Sequence, residues 1–216
     1  MKEYSAYLFD GDGTLYDTAD MIFRCFQHTC RKFRGIEIER DAIYKSIGLP
    51  YRPQLEMLVG KLSDKEFDEM TDSHRAYQQT IYKDSVKLFP HIKTVLEELK
   101  KRDKKLAVVT SRKIPSLVRY LKYTDIESYF DCLITPESTT KHKPEPEPAI
   151  EAMRQLGATS KETLFVGDAR FDIECGRAAG TDTAYVNWSF AGNHPDDVQA
   201  DYYIDNIQEL LNWTKN

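Results

Sequence analysis

Features that would mark a membrane or exported protein are missing from the sequence. None of its apolar runs approaches the roughly 20 residues that cross a bilayer as a helix. The N-terminal stretch MKEYSAYLFDGDGTL has no cationic segment followed by a long apolar one, so we expect no signal peptide. Internal repeats and low-complexity tracts are also absent, which argues against a repeat protein.

Cysteine is scarce. The 216 residues contain four cysteines with irregular spacing and no Cys-x-x-Cys pair, namely Cys25, Cys30, Cys132 and Cys175. This pattern favours reduced thiols over disulfides or a zinc site, and it predicts a cytoplasmic protein.

An excess of positive charge is missing as well. The chain carries 30 Lys and Arg against 35 Asp and Glu, a formal net charge of −5. Proteins that bind nucleic acid in general need a basic face, so we expect neither a nucleic-acid partner nor a membrane surface. A small anionic substrate stays compatible with this charge, because a few local cations and a metal can outweigh it.

Short apolar runs alternate with helical patterns along much of the chain. Strands are predicted at residues 4–9, 105–110, 132–135, 163–166 and 183–187. Helices are predicted at residues 91–102, 146–156 and 172–179, the last two closed by a glycine. Alternation of this kind predicts an α/β fold with a doubly wound parallel sheet, whose site lies at the C-terminal ends of the strands.

One segment interrupts the alternation. Residues 18–85 show helical patterns, such as 19–33 and 65–82, and no convincing strand. We interpret this segment as an all-helical domain inserted after the first strand. Residues 1–17 and 86–216 then form the α/β core domain.

Two aspartates stand directly after the first predicted strand, in the segment Asp10-Gly11-Asp12-Gly13-Thr14-Leu15. At a strand end, carboxylates two residues apart can point to one side of the chain. Because they repel each other, a structure that keeps both must protonate one or bind a cation. An ordinary acidic turn would explain this fragment equally well when it is considered alone.

Polar side chains also follow three other predicted strands. Thr110 and Ser111 end the second strand, Lys143 comes before Pro144 after the third, and Asp168 and Asp172 follow the fourth where a helix begins. Each group alone has a structural explanation, such as a helix cap for Asp168. Because parallel strands end at one edge of a sheet, the four groups are expected to share one cleft.

These four segments resemble, in order and spacing, the four motifs of the haloacid dehalogenase superfamily, and the helical insertion resembles the cap that many members carry. The resemblance implies a Rossmann-like core and a nucleophile at Asp10. It also implies the roles of the remaining site residues. These are Asp12 as general acid and base, Thr110, Ser111 and Lys143 as phosphoryl-binding groups, Asp10, Asp168 and the Asp12 backbone carbonyl as metal ligands, and Asp172 as support for that site.

The second acid distinguishes reaction types within the superfamily. Phosphoryl transfer to a carboxylate requires a hard cation against charge repulsion, and Mg²⁺ suits an all-oxygen site. A departing alkoxide also requires a proton, which Asp12 can supply, whereas a departing halide requires neither. We therefore predict a magnesium-dependent phosphatase that acts on a small phosphorylated metabolite through an aspartyl-phosphate.

Two positions depart from the superfamily pattern. Gly11 replaces a residue that is usually bulky and apolar, and Tyr16 replaces an aliphatic one. Glycine beside the nucleophile adds backbone freedom that could lower activity. A second lysine, Lys141, also precedes the motif, although adjacency to Pro144 favours Lys143.

Substrate choice is left open by the sequence. The loop at residues 47–52 looks like the cap loop of phosphoglycolate phosphatase-like relatives, in which Arg52 would bind an anionic substrate; an exposed arginine in a turn is the alternative. The C-terminal part is similar to a bacterial pyrophosphatase of the same group. A phosphosugar mutase, for which we expect an arginine in place of Tyr51, and a non-catalytic phosphate-binding protein are further alternatives. A monomer and a homodimer are equally compatible with the sequence.

Overall fold

A computed structural model describes residues 3–44, 46, 49–189 and 199–212. Its central sheet has six strands, namely β1 (Ala6–Phe9), β4 (Lys105–Val109), β5 (Cys132–Ile134), β6 (Thr163–Gly167), β7 (Asp182–Val186) and β8 (Tyr202–Ile204). They lie in the order β5-β4-β1-β6-β7-β8, and every neighbouring pair is parallel. The predicted α/β fold with a parallel sheet is confirmed.

The order of the strands places the site. From β1 the chain proceeds outward through β4 and β5, then returns to the other side of β1 and proceeds through β6, β7 and β8. Connections therefore reverse direction on either side of β1, and a crevice forms at its C-terminal end. The loops that follow β1, β4 and β6 border this crevice.

Helices cover both faces of the sheet because the central strands are apolar on both sides. Along β1, Tyr7 and Phe9 face a cluster that contains α5 (Ile92–Lys101) and α6 (Ile114–Tyr123). Ala6 and Leu8 face the opposite cluster. That second cluster is built from α7 (Glu147–Leu156) and α8 (Arg170–Ala178).

The described part of residues 18–85 contains four helices, α1 (Ala19–Arg34), α2 (Arg40–Tyr44), α3 (Tyr51–Val59) and α4 (Asp64–Ser85). They surround an apolar cluster of their own that includes Phe26, Leu55 and Met70. At the start of α4, the Ser63 side chain accepts a hydrogen bond from the Glu66 N–H and Glu66 caps Ser63 in return. The described part of the segment is helical, as predicted.

A two-stranded antiparallel ribbon connects these helices to the core. It pairs β2 (Tyr16–Asp17), where the chain leaves the core, with β3 (Lys87–Leu88), where it returns. This ribbon, α6 and β8 were not predicted from the sequence. Two residues per strand are too few to show alternation, and β8 is only three residues long.

The predicted cores of the other elements are confirmed, with ends that move by a few residues. The four cysteines are free thiols in the structure. Within the described ranges, no helix combines the length and apolarity required to cross a bilayer.

Candidate active site

Asp10 is held at the C-terminal end of β1. Its backbone N–H donates to the Val166 carbonyl at 3.0 Å, which continues the parallel ladder one residue beyond the strand. Its side chain is buried and accepts a hydrogen bond from Lys143 Nζ at 2.7 Å. The nucleophile predicted from the sequence is therefore a fixed carboxylate at the crevice.

Lys143 bridges two strand-end acids. Its Nζ lies 2.6 Å from Asp172 Oδ1, and it also approaches the Val109 carbonyl at 3.3 Å. The lysine is buried. Burial alone would lower its pKa, but the carboxylates of Asp10 and Asp172 outweigh burial and raise the pKa of Lys143 above its ordinary value. Lys141, which the sequence left as an alternative, is exposed and pairs with Glu145 at 3.7 Å. Lys143 is the lysine of this site.

Asp168 and Asp172 lie where β6 passes into α8. Asp168 accepts hydrogen bonds from Ser189 Oγ at 2.6 Å and Thr14 Oγ1 at 3.3 Å. Asp172 Oδ2 accepts the Ala169 N–H at 3.0 Å, so this carboxylate caps the first turn of α8. Asp172 therefore contacts both Lys143 and the start of α8, and its predicted role as support for a metal site stays a prediction.

Carboxylate oxygens of Asp10, Asp168 and Asp172 lie within 4.8 Å of one another, and all three residues are buried. Burial, together with the neighbouring acids, raises the pKa of Asp10 well above its ordinary value. Burial and the charge of Asp172 raise the pKa of Asp168 to about 7. Three buried carboxylates share one lysine as their cationic partner. Such a site suits a hard divalent cation that prefers oxygen ligands, and Mg²⁺ is such a cation.

The carboxylate of Asp12 points to a different partner. Arg112 donates two hydrogen bonds to it from one edge of its guanidinium, from Nε to Oδ2 at 2.8 Å and from Nη2 to Oδ1 at 2.5 Å. Thr18 Oγ1 also donates to Oδ1 at 2.5 Å. The predicted metal contact of Asp12 involves its backbone carbonyl, which this pairing leaves untouched and which stays a prediction.

Arg112 was missed by the sequence analysis, which considered only the hydroxyls before it. It lies two residues beyond Thr110 in the same strand-end loop, and this position was the signal available. Its guanidinium lies 4.5 Å from the centre of the Tyr120 ring. Burial alone would lower the pKa of Arg112. The carboxylate of Asp12 outweighs burial, so the pKa of Arg112 lies well above its ordinary value.

The two predicted hydroxyls lie between β4 and Arg112. Thr110 is buried, its N–H donates to the Ile134 carbonyl at 3.0 Å, and its Oγ1 accepts the Arg112 N–H at 3.2 Å. Ser111 is half-buried in the same loop. Their contacts with a phosphoryl group stay predictions.

The two departures from the superfamily pattern compensate each other. A Cβ placed on Gly11 would lie 2.5 Å from Tyr16 Oη and 3.1 Å from Tyr16 Cζ. The tyrosine hydroxyl therefore occupies the space that a side chain at position 11 would fill. A side chain at position 11 would require Tyr16 to shift. The predicted loss of activity through backbone freedom stays a prediction.

Arg52, the predicted substrate-binding residue of the insertion, is engaged elsewhere. Its guanidinium donates to Glu56 at 3.1 Å, to Asp64 at 2.9 Å and to the Leu62 carbonyl at 2.9 Å. It also lies over the Phe67 ring. The structure gives no support to a substrate contact, which stays a prediction, and residues 47 and 48 of the same loop lie outside the described residues.

The family model for haloacid dehalogenase-like hydrolases matches residues 7–186. A relative from Clostridium perfringens, provisionally named pyrophosphatase PpaX, is 35% identical over 207 residues, which cover 95% of each chain. Pyrophosphatase PpaX from Anoxybacillus flavithermus is 33% identical and covers 94% of each chain. A crystal structure from Haemophilus somnus, described as a predicted phosphoglycolate phosphatase, superimposes with a TM-score of 0.90 at 21% identity and covers 100% of both chains. The chain belongs to the haloacid dehalogenase-like hydrolases and is a phosphatase of that family.

The close approach of Tyr16 to Gly11 predicts that Gly11→Ala destabilises the protein, and that the loss of stability depends on the residue at position 16. Gly11→Ala places a methyl group against Tyr16 Oη and should lower the free energy of unfolding by about 1–3 kcal/mol through overpacking. In a Tyr16→Phe background the closest contact disappears, so the same substitution should cost clearly less. Urea unfolding of the wild type, the two single variants and the double variant measures both costs. An equal cost in both backgrounds would contradict the account.

The acidic cluster predicts stabilisation by magnesium. A cation that binds only the folded chain at 100 times its Kd should add about 2.7 kcal/mol to the free energy of unfolding. Thermal unfolding with and without Mg²⁺ should show this rise in the wild type. Asp168→Asn should largely abolish it, and Asp20→Asn, an exposed acid on α1, should keep it. Equal Mg²⁺ responses of all three proteins would place the cation elsewhere.

Proposed function

We propose that this haloacid dehalogenase-like hydrolase cleaves inorganic pyrophosphate by transferring one phosphoryl group to Asp10, with Mg²⁺ as its cofactor. The observation that carries the proposal is the environment of Asp10. Its buried carboxylate forms, with those of Asp168 and Asp172, a cluster that could bind a divalent cation. Lys143 Nζ donates a hydrogen bond to this carboxylate and fixes its position. A carboxylate fixed beside a cation and a lysine is suited to approach a phosphate anion.

The choice of pyrophosphate rests on two considerations. Relatives that match nearly the whole chain at 33–35% identity carry the name pyrophosphatase, and the sequence analysis held this activity as an alternative. The phosphoglycolate reading depends on a cation that would bind the substrate carboxylate. The residue predicted for that task, Arg52, already donates to two acids and a carbonyl of the insertion.

In the first step, an Asp10 carboxylate oxygen attacks a phosphorus atom and the bond to the bridging oxygen breaks. Lys143 and Thr110 are placed to bind equatorial oxygens as the charge on them shifts. Asp12 donates a proton to the departing oxygen. When bound, Mg²⁺ offsets the repulsion between the attacking carboxylate and the phosphoryl group.

In the second step, water hydrolyses the aspartyl-phosphate. Asp12 has given up its proton and now accepts one from the attacking water, which returns it to its initial form. Its position on the loop two residues beyond Asp10 keeps it beside the phosphoryl group throughout. One acid can therefore serve both half-reactions.

Steady-state kinetics in Mg²⁺ with pyrophosphate, phosphoglycolate and 4-nitrophenyl phosphate test the proposal. We expect the highest kcat/KM with pyrophosphate. Asp10→Asn should reduce turnover by several orders of magnitude with the fold intact, because the amide is not a nucleophile. Asp20→Asn, on the exposed face of α1, serves as the matched control and should retain activity.

Two results would contradict the proposal. A clear preference for phosphoglycolate would replace the substrate and keep the chemistry. Substantial activity of Asp10→Asn would remove Asp10 from its role as nucleophile.

A further inference from the structure

Arg112 is a buried cation whose carboxylate partner differs from those of Lys143. Lys143 contacts Asp10 and Asp172, on the side of the attacking carboxylate. Arg112 contacts Asp12, the group that protonates the departing oxygen in the proposed reaction. Within the described ranges, these two are the cations that contact the carboxylates of the site.

The guanidinium of Arg112 has donors to spare. An arginine side chain carries five N–H groups, of which Arg112 uses one on Nε and one on Nη2 for Asp12. Its Nη1 donates to no group in the part of the chain that the structure describes. The side chain is only 10% exposed and is stacked on Tyr120, so the guanidinium is fixed in orientation.

Leaving groups differ in what they require at this position. An alkoxide develops charge on a single oxygen, and a proton from Asp12 neutralises it. The phosphate released from pyrophosphate keeps negative charge on its outer oxygens even after the bridging oxygen is protonated. A guanidinium fork pairs with two phosphate oxygens at once, whereas a carboxylic acid cannot neutralise them.

We infer that Arg112 binds the departing phosphate and thereby sets a preference for substrates whose leaving group is itself an anionic phosphate. This inference rests on the proposed function. As the Asp10–phosphorus bond forms, the phosphorus–bridging oxygen bond breaks and its electron pair stays on the leaving phosphate. Asp12 supplies the proton to that oxygen, and Arg112 uses the N–H groups that do not contact Asp12 to bind the outer oxygens, without gaining or losing a proton.

The competing account is that Arg112 only positions Asp12. Both substrates depend on Asp12, so loss of the arginine would then impair them in proportion to their need for a proton. 4-Nitrophenolate is a stable anion that needs little protonation and carries no phosphate. A selective loss with pyrophosphate is therefore expected from both accounts. Binding of an uncleavable pyrophosphate analogue involves no proton transfer, so its dependence on Arg112 separates charge recognition from positioning.

The test compares Arg112→Gln and Arg112→Lys with Arg119→Gln. Arg119 lies on α6, the helix that follows the loop of Arg112, with its guanidinium over the Tyr82 ring, and it contacts none of the site carboxylates, so it is a matched control. Loss of a charge-assisted hydrogen-bonded pair should lower kcat/KM for pyrophosphate by roughly 10- to 150-fold in Arg112→Gln. The fall with 4-nitrophenyl phosphate should be about tenfold smaller. Arg112→Lys should recover part of the pyrophosphate activity, and thermal unfolding verifies that each variant is folded.

A binding measurement provides a second readout. In an Asp10→Asn background, calorimetry with methylenediphosphonate, a pyrophosphate analogue that cannot be cleaved, should show about tenfold weaker binding when Arg112 is replaced by Gln. Binding of inorganic phosphate, which has no outer phosphoryl group, should change less.

Equal losses with both substrates, or methylenediphosphonate binding that does not respond to Arg112→Gln, would overturn this inference and leave the proposed function in place. A wild-type protein that hydrolyses 4-nitrophenyl phosphate but not pyrophosphate would overturn the proposed substrate, and this inference with it.

Discussion

The structure depends on the balance of charge around Lys143. Three carboxylates meet at the C-terminal edge of the sheet, and one buried lysine contacts two of them. Removing one partner from a buried ion pair costs about 3–5 kcal/mol, because the other charge is left uncompensated. The sheet topology creates this concentration of charge by ending β1, β4 and β6 at one crevice. The proposed Mg²⁺ would complete the balance, and such a cation together with the lysine is what a phosphoryl anion requires.

The second half of the site is organised around Asp12 and Arg112. Their bidentate contact pairs the carboxylate of Asp12, the proposed general acid and base, with Arg112 rather than with the acidic cluster, although only one residue separates Asp12 from Asp10. The guanidinium of Arg112 lies over the Tyr120 ring. The Tyr16 ring packs edge-on against the Tyr120 ring, with 5.9 Å between the ring centres. Gly11 in turn leaves room for Tyr16. The unusual residues of the first motif and the missed arginine of the second are thus connected by contact.

The sequence predicted the parts of this architecture that are periodic or local. Buried strands followed by polar groups were enough to place Asp10, Lys143 and Asp168 at one sheet edge. Contacts between distant segments could not be read in this way. No pattern in one segment indicates that Arg112 reaches Asp12, 100 residues earlier, or that Tyr16 fills the space beside Gly11. Arg52 shows the converse, since its loop resembles a substrate-binding one and its partners lie in its own domain.

The central claim is that Asp10 carries the phosphoryl group during turnover. The most direct measurement is a rapid quench of the wild-type protein with pyrophosphate and Mg²⁺, followed by borohydride reduction and peptide mass spectrometry. Borohydride converts an aspartyl-phosphate to homoserine, so the account predicts homoserine at position 10 and an unmodified Asp12. Homoserine at another aspartate, or none at any time during turnover, would contradict it.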